Sequence, residues 1–303
     1  MIKINNLTKY YKKTKVLDGL NLEINDGEIY GFIGQNGVGK STTMNILTKI
    51  IKFNSGSCFV NHMDILKENI KKLNLGYLPE EPRFYNYMTP KEYLYFIGKI
   101  CNKNKIDLNL KLNELLKLVK LEKFKNKPIG TFSRGMKQRM GIAVAIYNDP
   151  KTIILDEPSS ALDPEGRKDV IDIIKELKEK GKTILVSTHI LNDIEKICDK
   201  IGILKGGKIV IEDNLNNLMK KYIQPIYDIE FEYSIKSHYI KQIEDLDFVE
   251  MVRENNNKLS IKINNIEKNG FNLYKKIIDL EILPLSIIQR KNSLEEIFIE
   301  VAK

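Results

Sequence analysis

Cysteine is scarce in this chain, and long apolar runs are missing from it. Its three cysteines, Cys58, Cys101 and Cys198, lie far apart and form no C-x-x-C pair, which argues against a disulfide framework and against a zinc site. No apolar run approaches the ~18 residues of a membrane span, and the first residues lack the apolar core of a signal peptide. We therefore expect a cytosolic protein without a transmembrane segment.

Charge is plentiful but unevenly distributed. The chain of 303 residues can hold two domains, and it carries a net charge of +9. Residues 224–303 contain 11 Lys and Arg against 14 Asp and Glu, a net charge of −3, which leaves +12 for residues 1–223. A basic region of this kind can lie against anionic lipid or nucleic acid, although lysine-rich surfaces are more often only solvated. Charge alone therefore does not select a partner.

A glycine-rich loop occupies residues 34–41, which read Gly-Gln-Asn-Gly-Val-Gly-Lys-Ser and match the pattern G-x-x-x-x-G-K-[ST] in full. An apolar strand at 29–33 precedes it and a helical stretch at 41–50 follows it, as phosphate binding requires. The glycines let backbone amides turn inward around an anion, Lys40 can reach the β- and γ-phosphates, and Ser41 can ligate Mg²⁺. We predict a nucleotide triphosphatase. The nucleotide-binding residues predicted in this loop are Gly34, Asn36, Gly37, Gly39, Lys40, Ser41 and Thr42.

Two carboxylates end a second apolar strand. Asp156 is placed to hold Mg²⁺, directly or through water, and Glu157 lies one residue further on, where it can polarise the attacking water. His189 follows the next strand of the sequence and can contact the γ-phosphate. We therefore predict that Glu157, His189 and Lys40 are the catalytic residues.

The remaining pattern of the N-terminal region indicates an α/β fold. The first thirty residues alternate apolar and polar positions, as in short strands. Residues 90–149 change to helical spacing, so an all-helical insertion splits the nucleotide core. Strands predicted at 152–155 and 183–187 flank a charged helix at 164–180, the βαβ pattern of a parallel sheet. Such a core binds its ligand at the carboxyl ends of the strands.

A second unit begins near Gln224 and Pro225. Its strands and helices follow a βαββαβ order that resembles a small ferredoxin-like domain, and it contains no recognisable chemical motif. The predicted elements are strands at 227–232, 248–253, 259–263 and 285–289, and helices at 235–244, 267–280 and 294–301.

Residues 132–136, Phe-Ser-Arg-Gly-Met, resemble the signature loop L-S-G-G-Q of ATP-binding cassette (ABC) ATPases. Ser133 and Gly135 are retained, whereas Arg134 and Met136 depart from that pattern. A serine hydroxyl and a backbone amide at a helix start can still grip a γ-phosphate presented by another subunit. The resemblance therefore adds Ser133 and Gly135 to the nucleotide-binding residues.

Two further motifs fall in register with the family. Residues 160–163, Ser-Ala-Leu-Asp, resemble its D-loop, with Ala161 where glycine is usual. Tyr11 matches the aromatic residue that stacks on adenine, and Tyr10 is the competing candidate. In this order and spacing the motifs identify residues 1–215 as similar to an ABC cassette.

The loop that carries the family's Q-loop glutamine contains a carboxylate here. The resemblance places that position at Glu80, with Glu81 as an alternative. A carboxylate can ligate Mg²⁺ at least as well as an amide, because hard cations favour charged oxygen. Ser41, Glu80 and Asp156 are accordingly the expected metal-binding residues.

The resemblance also implies the overall fold. Residues 1–215 are expected to form a P-loop NTPase cassette with a RecA-like core, an N-terminal antiparallel β subdomain and a helical signature subdomain at about 87–149. Residues 224–303 are expected to form a small α+β ferredoxin-like domain that regulates the cassette or supports dimerisation.

Three segments are similar to the ATPase subunits of ABC-2-type exporters, which include drug-resistance, bacteriocin-immunity and sodium-efflux systems. They are Tyr-Leu-Pro-Glu-Glu at 77–81, Ser-Arg-Gly-Met-Lys-Gln-Arg at 133–139, and Ser-Leu-Glu-Glu-Ile-Phe at 293–298. The resemblance implies a subunit at the cytoplasmic face of the cell membrane that hydrolyses ATP with Mg²⁺. Two copies would close around the nucleotides and drive efflux through a separate membrane permease.

A soluble ABC ATPase that acts on nucleic acid or the ribosome is the alternative, which the basic cassette region keeps open. Proteins of this kind that resemble translation factors carry two cassettes in one chain, and repair-type ones contain long coiled coils. This sequence has neither feature. A scaffold protein for cofactor assembly is disfavoured by the C-terminal domain and the exporter-like motifs. We therefore expect no nucleic-acid partner.

Overall fold

The computed structural model describes residues 1–101, 105–221, 223–291 and 294–295. The chain divides into a first unit, Met1–Asn216, and a second unit that begins at Asn217. No helix in these described ranges is long and apolar enough to cross a membrane.

The first unit contains two sheets and a group of helices. Its strands are β1 Ile2–Tyr11, β2 Thr14–Ile24, β3 Ile29–Gly34, β4 Ser55–Val60, β5 Met63–Asp64, β6 Leu75–Leu78, β7 Thr152–Asp156, β8 Thr183–Ser187, β9 Lys200–Lys205 and β10 Lys208–Asn214. The helices are α1 Lys40–Leu47, α2 Pro90–Ile100, α3 Lys105–Leu118, α4 Arg134–Ala145, α5 Pro164–Glu179, α6 Leu191–Ile197 and α7 Leu215–Lys221, which continues past the division between the units.

An antiparallel sheet at the start of the chain has the strand order β2-β1-β4-β5. The predicted short strands are two long ones, of 10 and 11 residues, paired from Ile2 opposite Ile24 to Tyr11 opposite Thr14. Ile2 and Ile4 are buried in the apolar core, as the alternation of the sequence predicts, and Leu7 is buried beyond a register shift in the pairing of β1 with β2.

The second sheet carries the phosphate loop and has the order β10-β9-β3-β8-β7-β6. Neighbouring strands from β9 to β6 are parallel, and β10 adds an antiparallel edge. Every residue of β7 and β8 is buried, which explains their continuous apolar sequence. Because β3, β8 and β7 are neighbours and parallel, their carboxyl ends at Gly34, Ser187 and Asp156 meet at one edge of the sheet.

The predicted helical insertion contains α2, α3 and α4. Thr89 begins α2 with a capping box, in which its hydroxyl accepts from the Glu92 amide and the Glu92 carboxylate accepts from the Thr89 amide. Ser133 begins α4 by accepting a hydrogen bond from the Met136 amide at 3.2 Å. Serine in the signature loop therefore also has a local structural role as a helix cap.

The second unit has its own sheet and core. Its elements are β11 Ile223–Phe231, α8 Ser237–Glu244, β12 Val249–Asn255, β13 Lys258–Ile263, α9 Ile266–Asp279 and β14 Pro284–Lys291. They follow the predicted βαββαβ order, and the antiparallel sheet has the order β12-β13-β11-β14. The predicted helix at 294–301 and the exporter-like segment at 293–298 lie outside the described residues, apart from Leu294 and Glu295.

Candidate functional site

The phosphate loop connects β3 to α1. Gly37 and Gly39 have φ angles of 81° and 117°, in the left-handed region that favours glycine. A Cβ atom on Gly39 would lie 2.7 Å from Cδ2 of Leu17, so a side chain there would also crowd the Leu17 side chain. Helix α1 starts at Lys40 without a side-chain cap. Its first amides therefore keep their donors for an anion.

Lys40 is folded back into this loop. Its side chain is only 5% exposed, and Nζ donates hydrogen bonds to the carbonyl oxygens of Gly34 at 2.6 Å and Gln35 at 3.2 Å. Burial lowers the pKa of the Lys40 ammonium group, while the carboxylates of Glu157, Asp156 and Glu80 oppose that shift. These carboxylates therefore help to keep a positive charge in the loop.

Strand β8 positions the two carboxylates that follow β7. The Ser187 hydroxyl donates to Oδ1 of Asp156 at 2.5 Å, and the Glu157 amide donates to the Ser187 hydroxyl at 3.0 Å. The φ angle of Glu157 is +48°, which costs about 1–3 kcal/mol for a residue other than glycine. Such strain persists only where the surroundings hold it, and it is common at active sites.

The two carboxylate oxygens of Glu157 have different partners. Its Oε2 atom lies 2.8 Å from Nδ1 of His189, whose side chain is half-exposed. Its Oε1 atom is buried, has no hydrogen-bond partner among the described residues, and lies 3.9 Å from Nζ of Lys40. A buried carboxylate oxygen without a donor can accept a hydrogen bond from a water molecule that enters the site.

A cavity of about 390 Å³ brings most of the predicted site together. Glu80 lines it and Glu81 does not, while Asp156 is buried behind the lining. Ser160 joins the lining, although the sequence predicted it only as part of the D-loop. The lining residues are Asn36, Gly37, Gly39, Lys40, Ser41, Thr42, Glu80, Glu157, Ser160 and His189.

The signature loop and Tyr11 do not line this cavity. Ser133 and Gly135 line a separate cavity of about 560 Å³. The Tyr11 ring is 46% exposed and lies 5.0 Å from Nζ of Lys9, and Tyr10 beside it is 40% exposed. In the described part of the chain, the phosphate loop and the signature loop therefore line separate cavities.

The oxygen ligands available around the phosphate loop fit a metal ion that also binds the phosphates of a nucleotide. No group of three or more His, Cys, Asp or Glu side chains that could hold a metal occurs in the described part of the chain. The residues predicted to bind metal, Ser41, Glu80 and Asp156, offer only oxygen atoms. Mg²⁺ prefers oxygen, keeps several waters, and is usually held by one or two carboxylates together with substrate phosphates.

Gln138 is a buried polar residue that the sequence reasoning did not place in the site. Its side chain is 4% exposed, and Nε2 lies 3.4 Å from the Glu157 carbonyl oxygen and 3.5 Å from that of Glu80. A polar side chain on the buried face of α4 was the available sequence signal.

Comparison with known proteins finds ATP-binding proteins of transporters. The family model described as ABC transporter matches residues 17–160. The ABC transporter ATP-binding protein YxlF of Bacillus subtilis shares 34% identity over 99% of this chain and 99% of its own. The bacitracin transport ATP-binding protein BcrA of Bacillus licheniformis shares 35% identity over 99% of this chain and 97% of its own. The lantibiotic transport ATP-binding protein SrtF of Streptococcus pyogenes shares 36% identity over 74% of this chain.

Two solved structures have similar folds. An ATP-binding subunit of an ABC transporter superposes with a TM-score of 0.66 and 29% identity, covering 73% of this chain and 93% of that one. The dimeric, post-hydrolysis structure of the ATP-binding cassette MJ0796, bound to ADP and Pi, has a TM-score of 0.64 and 28% identity, covering 71% of this chain and 99% of that one.

Proposed function

The chain belongs to the family of ABC transporter ATP-binding proteins and is an ATPase of that family, and we propose that it drives efflux through a separate membrane permease. The cavity in which the phosphate loop, Glu80, Glu157 and His189 meet supports the ATPase site, and the similarity to transport ATP-binding proteins carries the proposal of efflux. The names of BcrA and SrtF assign those relatives to bacitracin and lantibiotic transport. Their similarity to this chain supports an exporter of antibiotic peptides or related compounds.

Glu157 is the proposed general base. With a proton on Nδ1, His189 donates to Oε2 and leaves Oε1 to accept a proton from water. The water oxygen then bonds to the γ-phosphorus as the bond to the β–γ bridging oxygen breaks, which releases ADP and phosphate. Lys40 binds the phosphates through its charge, and Nε2 of His189 is the nitrogen left to face the γ-phosphate.

The metal in this proposal is Mg²⁺. Ser41, Asp156 and Glu80 are the residues that would hold it, with Asp156 acting directly or through water. When bound, Mg²⁺ neutralises charge on the phosphate oxygens. The amides at the start of α1 bind the phosphates independently through their N–H groups.

Dimerisation completes the proposed site. Ser133 and Gly135 line a cavity of their own, so we propose that they contact the nucleotide held by the phosphate loop of a second copy. The Ser133 hydroxyl accepts from an amide of its own helix, which leaves its hydrogen available to a phosphate oxygen. The dimeric state of the similar MJ0796 cassette supports this arrangement. Tyr11 is proposed to stack on adenine.

We propose that the permease partner holds the protein at the cytoplasmic face of the membrane. The test is to purify the full chain in mild detergent, identify the integral membrane protein that accompanies it, and measure phosphate release by the complex. We expect a membrane permease and Mg²⁺-dependent ATP hydrolysis. Recovery with ribosomes or DNA instead, without a membrane protein, would contradict the proposal.

A further inference from the structure

Helix α4 lies directly against strand β6. A Cβ atom on Gly141 of the helix would overlap the Leu78 side chain, and one on Gly76 of the strand would overlap the Ala145 carbonyl oxygen. The two glycines therefore permit a close approach that larger residues would prevent. Because α4 begins at the signature loop, this packing connects that loop to β6, the strand at one edge of the sheet.

Gln138 lies on α4 three residues before Gly141, at the end of this contact nearer the start of the helix. Its buried amide has two N–H hydrogens, and Nε2 lies within 3.5 Å of two backbone carbonyl oxygens, those of Glu80 and Glu157. One carbonyl belongs to the loop after β6 and the other to the residue that follows β7. A single side chain thus connects α4 with two backbone segments that line the proposed nucleotide cavity.

The contact between Gln138 and the Glu157 carbonyl oxygen matters because the backbone of Glu157 is strained. Its amide is held by Ser187, and its carbonyl oxygen accepts from the Ser160 amide at 3.2 Å as well as lying near Gln138. A residue with positive φ keeps that conformation only while its surroundings fix it. The lengths of 3.4 and 3.5 Å are long for hydrogen bonds, as is common for hydrogen bonds around an active site that holds no substrate.

We propose that Gln138 is a positioning residue for hydrolysis: it holds the backbone of Glu157 and the Glu80 loop in fixed register with the signature helix. Gln138 does not touch the nucleotide in this scheme and acts through Glu157. The inference rests on the proposed ATPase site. It predicts that loss of the amide lowers the catalytic rate and leaves nucleotide binding in place, since the phosphate loop is not contacted.

The test replaces Gln138 by Met, which has similar length and no N–H donor, in the full chain with its co-purified permease. We expect kcat to fall about tenfold, while the dissociation constant of a fluorescent ATP analogue changes less than about twofold. Phosphate release and fluorescence titration measure the two quantities. If this variant does not fold, Gln138→Glu has the same size and replaces the donor by an acceptor, so kcat should again fall.

Arg139 provides the matched control on the same helix. It is also largely buried, but Nη1 contacts the carbonyl oxygens of Val119 and Lys120 and the carboxylate of Asp169. Arg139→Met should lower the melting temperature and change kcat less than about twofold. Equal losses of kcat in the Gln138 and Arg139 variants would show a general packing effect and overturn the inference.

A double-mutant cycle separates positioning from an independent role. If Gln138 acts through Glu157, then adding Gln138→Met to Glu157→Gln should lower the residual rate less than about twofold. A full tenfold loss in both backgrounds would refute the inference. Failure of the wild-type complex to hydrolyse ATP would instead contradict the proposed function, so the two failures are distinguishable.

Discussion

At the scale of single residues, Glu157 combines a strained backbone with a carboxylate of which one oxygen has a hydrogen-bond partner. His189 occupies one carboxylate oxygen, and the other is buried without a hydrogen-bond partner. This oxygen lies 3.9 Å from Nζ of Lys40, and Glu157 lines the cavity, so we propose that the oxygen accepts the proton of the attacking water.

Replacing Glu157 by Gln tests this role. We expect ATP binding to persist while turnover falls by roughly 10²–10⁴-fold, because the amide oxygen cannot take the proton. The variant should also accumulate as an ATP-bound dimer in size-exclusion chromatography with ATP. Glu179→Gln, at the exposed end of α5, serves as the control. Near-normal hydrolysis by Glu157→Gln would remove the residue from its proposed role.

Lys40 and Tyr11 should contribute to binding in different ways. Lys40→Ala should abolish hydrolysis, because the phosphates lose their charge partner. Tyr11→Ala should mainly weaken nucleotide affinity, by about 1–3 kcal/mol, the scale of one stack between a base and an aromatic ring. Stacking tolerates any base, so GTP should also be accepted. Isothermal titration gives the dissociation constants.

Tyr10 is the matched control for the stacking prediction. It neighbours Tyr11 on β1 and is exposed to a similar extent. Tyr10→Ala should leave the ATP dissociation constant unchanged. A weaker affinity in the Tyr10 variant, with none in the Tyr11 variant, would move the stacking role to Tyr10.

At the scale of elements, the loop between β6 and α2 joins the nucleotide core to the helical insertion. Glu80 in this loop lines the cavity, and its charge acts on Lys40. The Gln138 amide lies near the Glu80 carbonyl oxygen. The loop is therefore placed to respond both to the nucleotide and to the position of α4.

Glu80→Gln introduces the residue that the family resemblance places at this position. The variant should separate ATP hydrolysis from its coupling to transport. We expect ATP hydrolysis to persist with a changed Mg²⁺ dependence, because an amide oxygen binds the cation less strongly than a carboxylate. Transport into membrane vesicles should change more than hydrolysis. Glu81→Gln is the control, since Glu81 does not line the cavity. Equal effects of Glu80→Gln on hydrolysis and on transport would argue against a coupling role.

At the scale of the whole molecule, the second unit carries its own apolar core. Ile229, Leu259, Ile261 and Leu273 are almost completely buried within it. The sequence of this unit contains no phosphate loop or other chemical motif. We therefore propose that it supports dimerisation or coupling and takes no part in the chemistry.

A chain that ends at residue 222 tests this proposal. It should bind ATP with the affinity of the full chain, because the phosphate loop lies in the first unit, but it should dimerise or couple less well. Analytical ultracentrifugation with ATP, together with transport assays, measures the difference. Unchanged dimerisation, hydrolysis and transport would show that the second unit is dispensable.

Local sequence was sufficient to predict much of this protein. The strand, loop and helix around Lys40 and the acidic end of β7 follow from glycine positions and apolar runs. So does the βαββαβ order of the second unit. These features depend on neighbouring residues, whose backbone preferences and hydrophobic periodicity act over one element at a time. The predicted roles of the site residues remain predictions.

Only the tertiary structure decided which side chains share the cavity. Glu80 and Ser160 line it and Glu81 does not, while Ser133 and Gly135 line a separate cavity. The tertiary structure also brought Gln138 to carbonyl oxygens that lie 58 and 19 residues away in the sequence. Such contacts depend on how α4 packs against β6. No local pattern encodes that packing, because it results from the fit of elements that are distant in the chain.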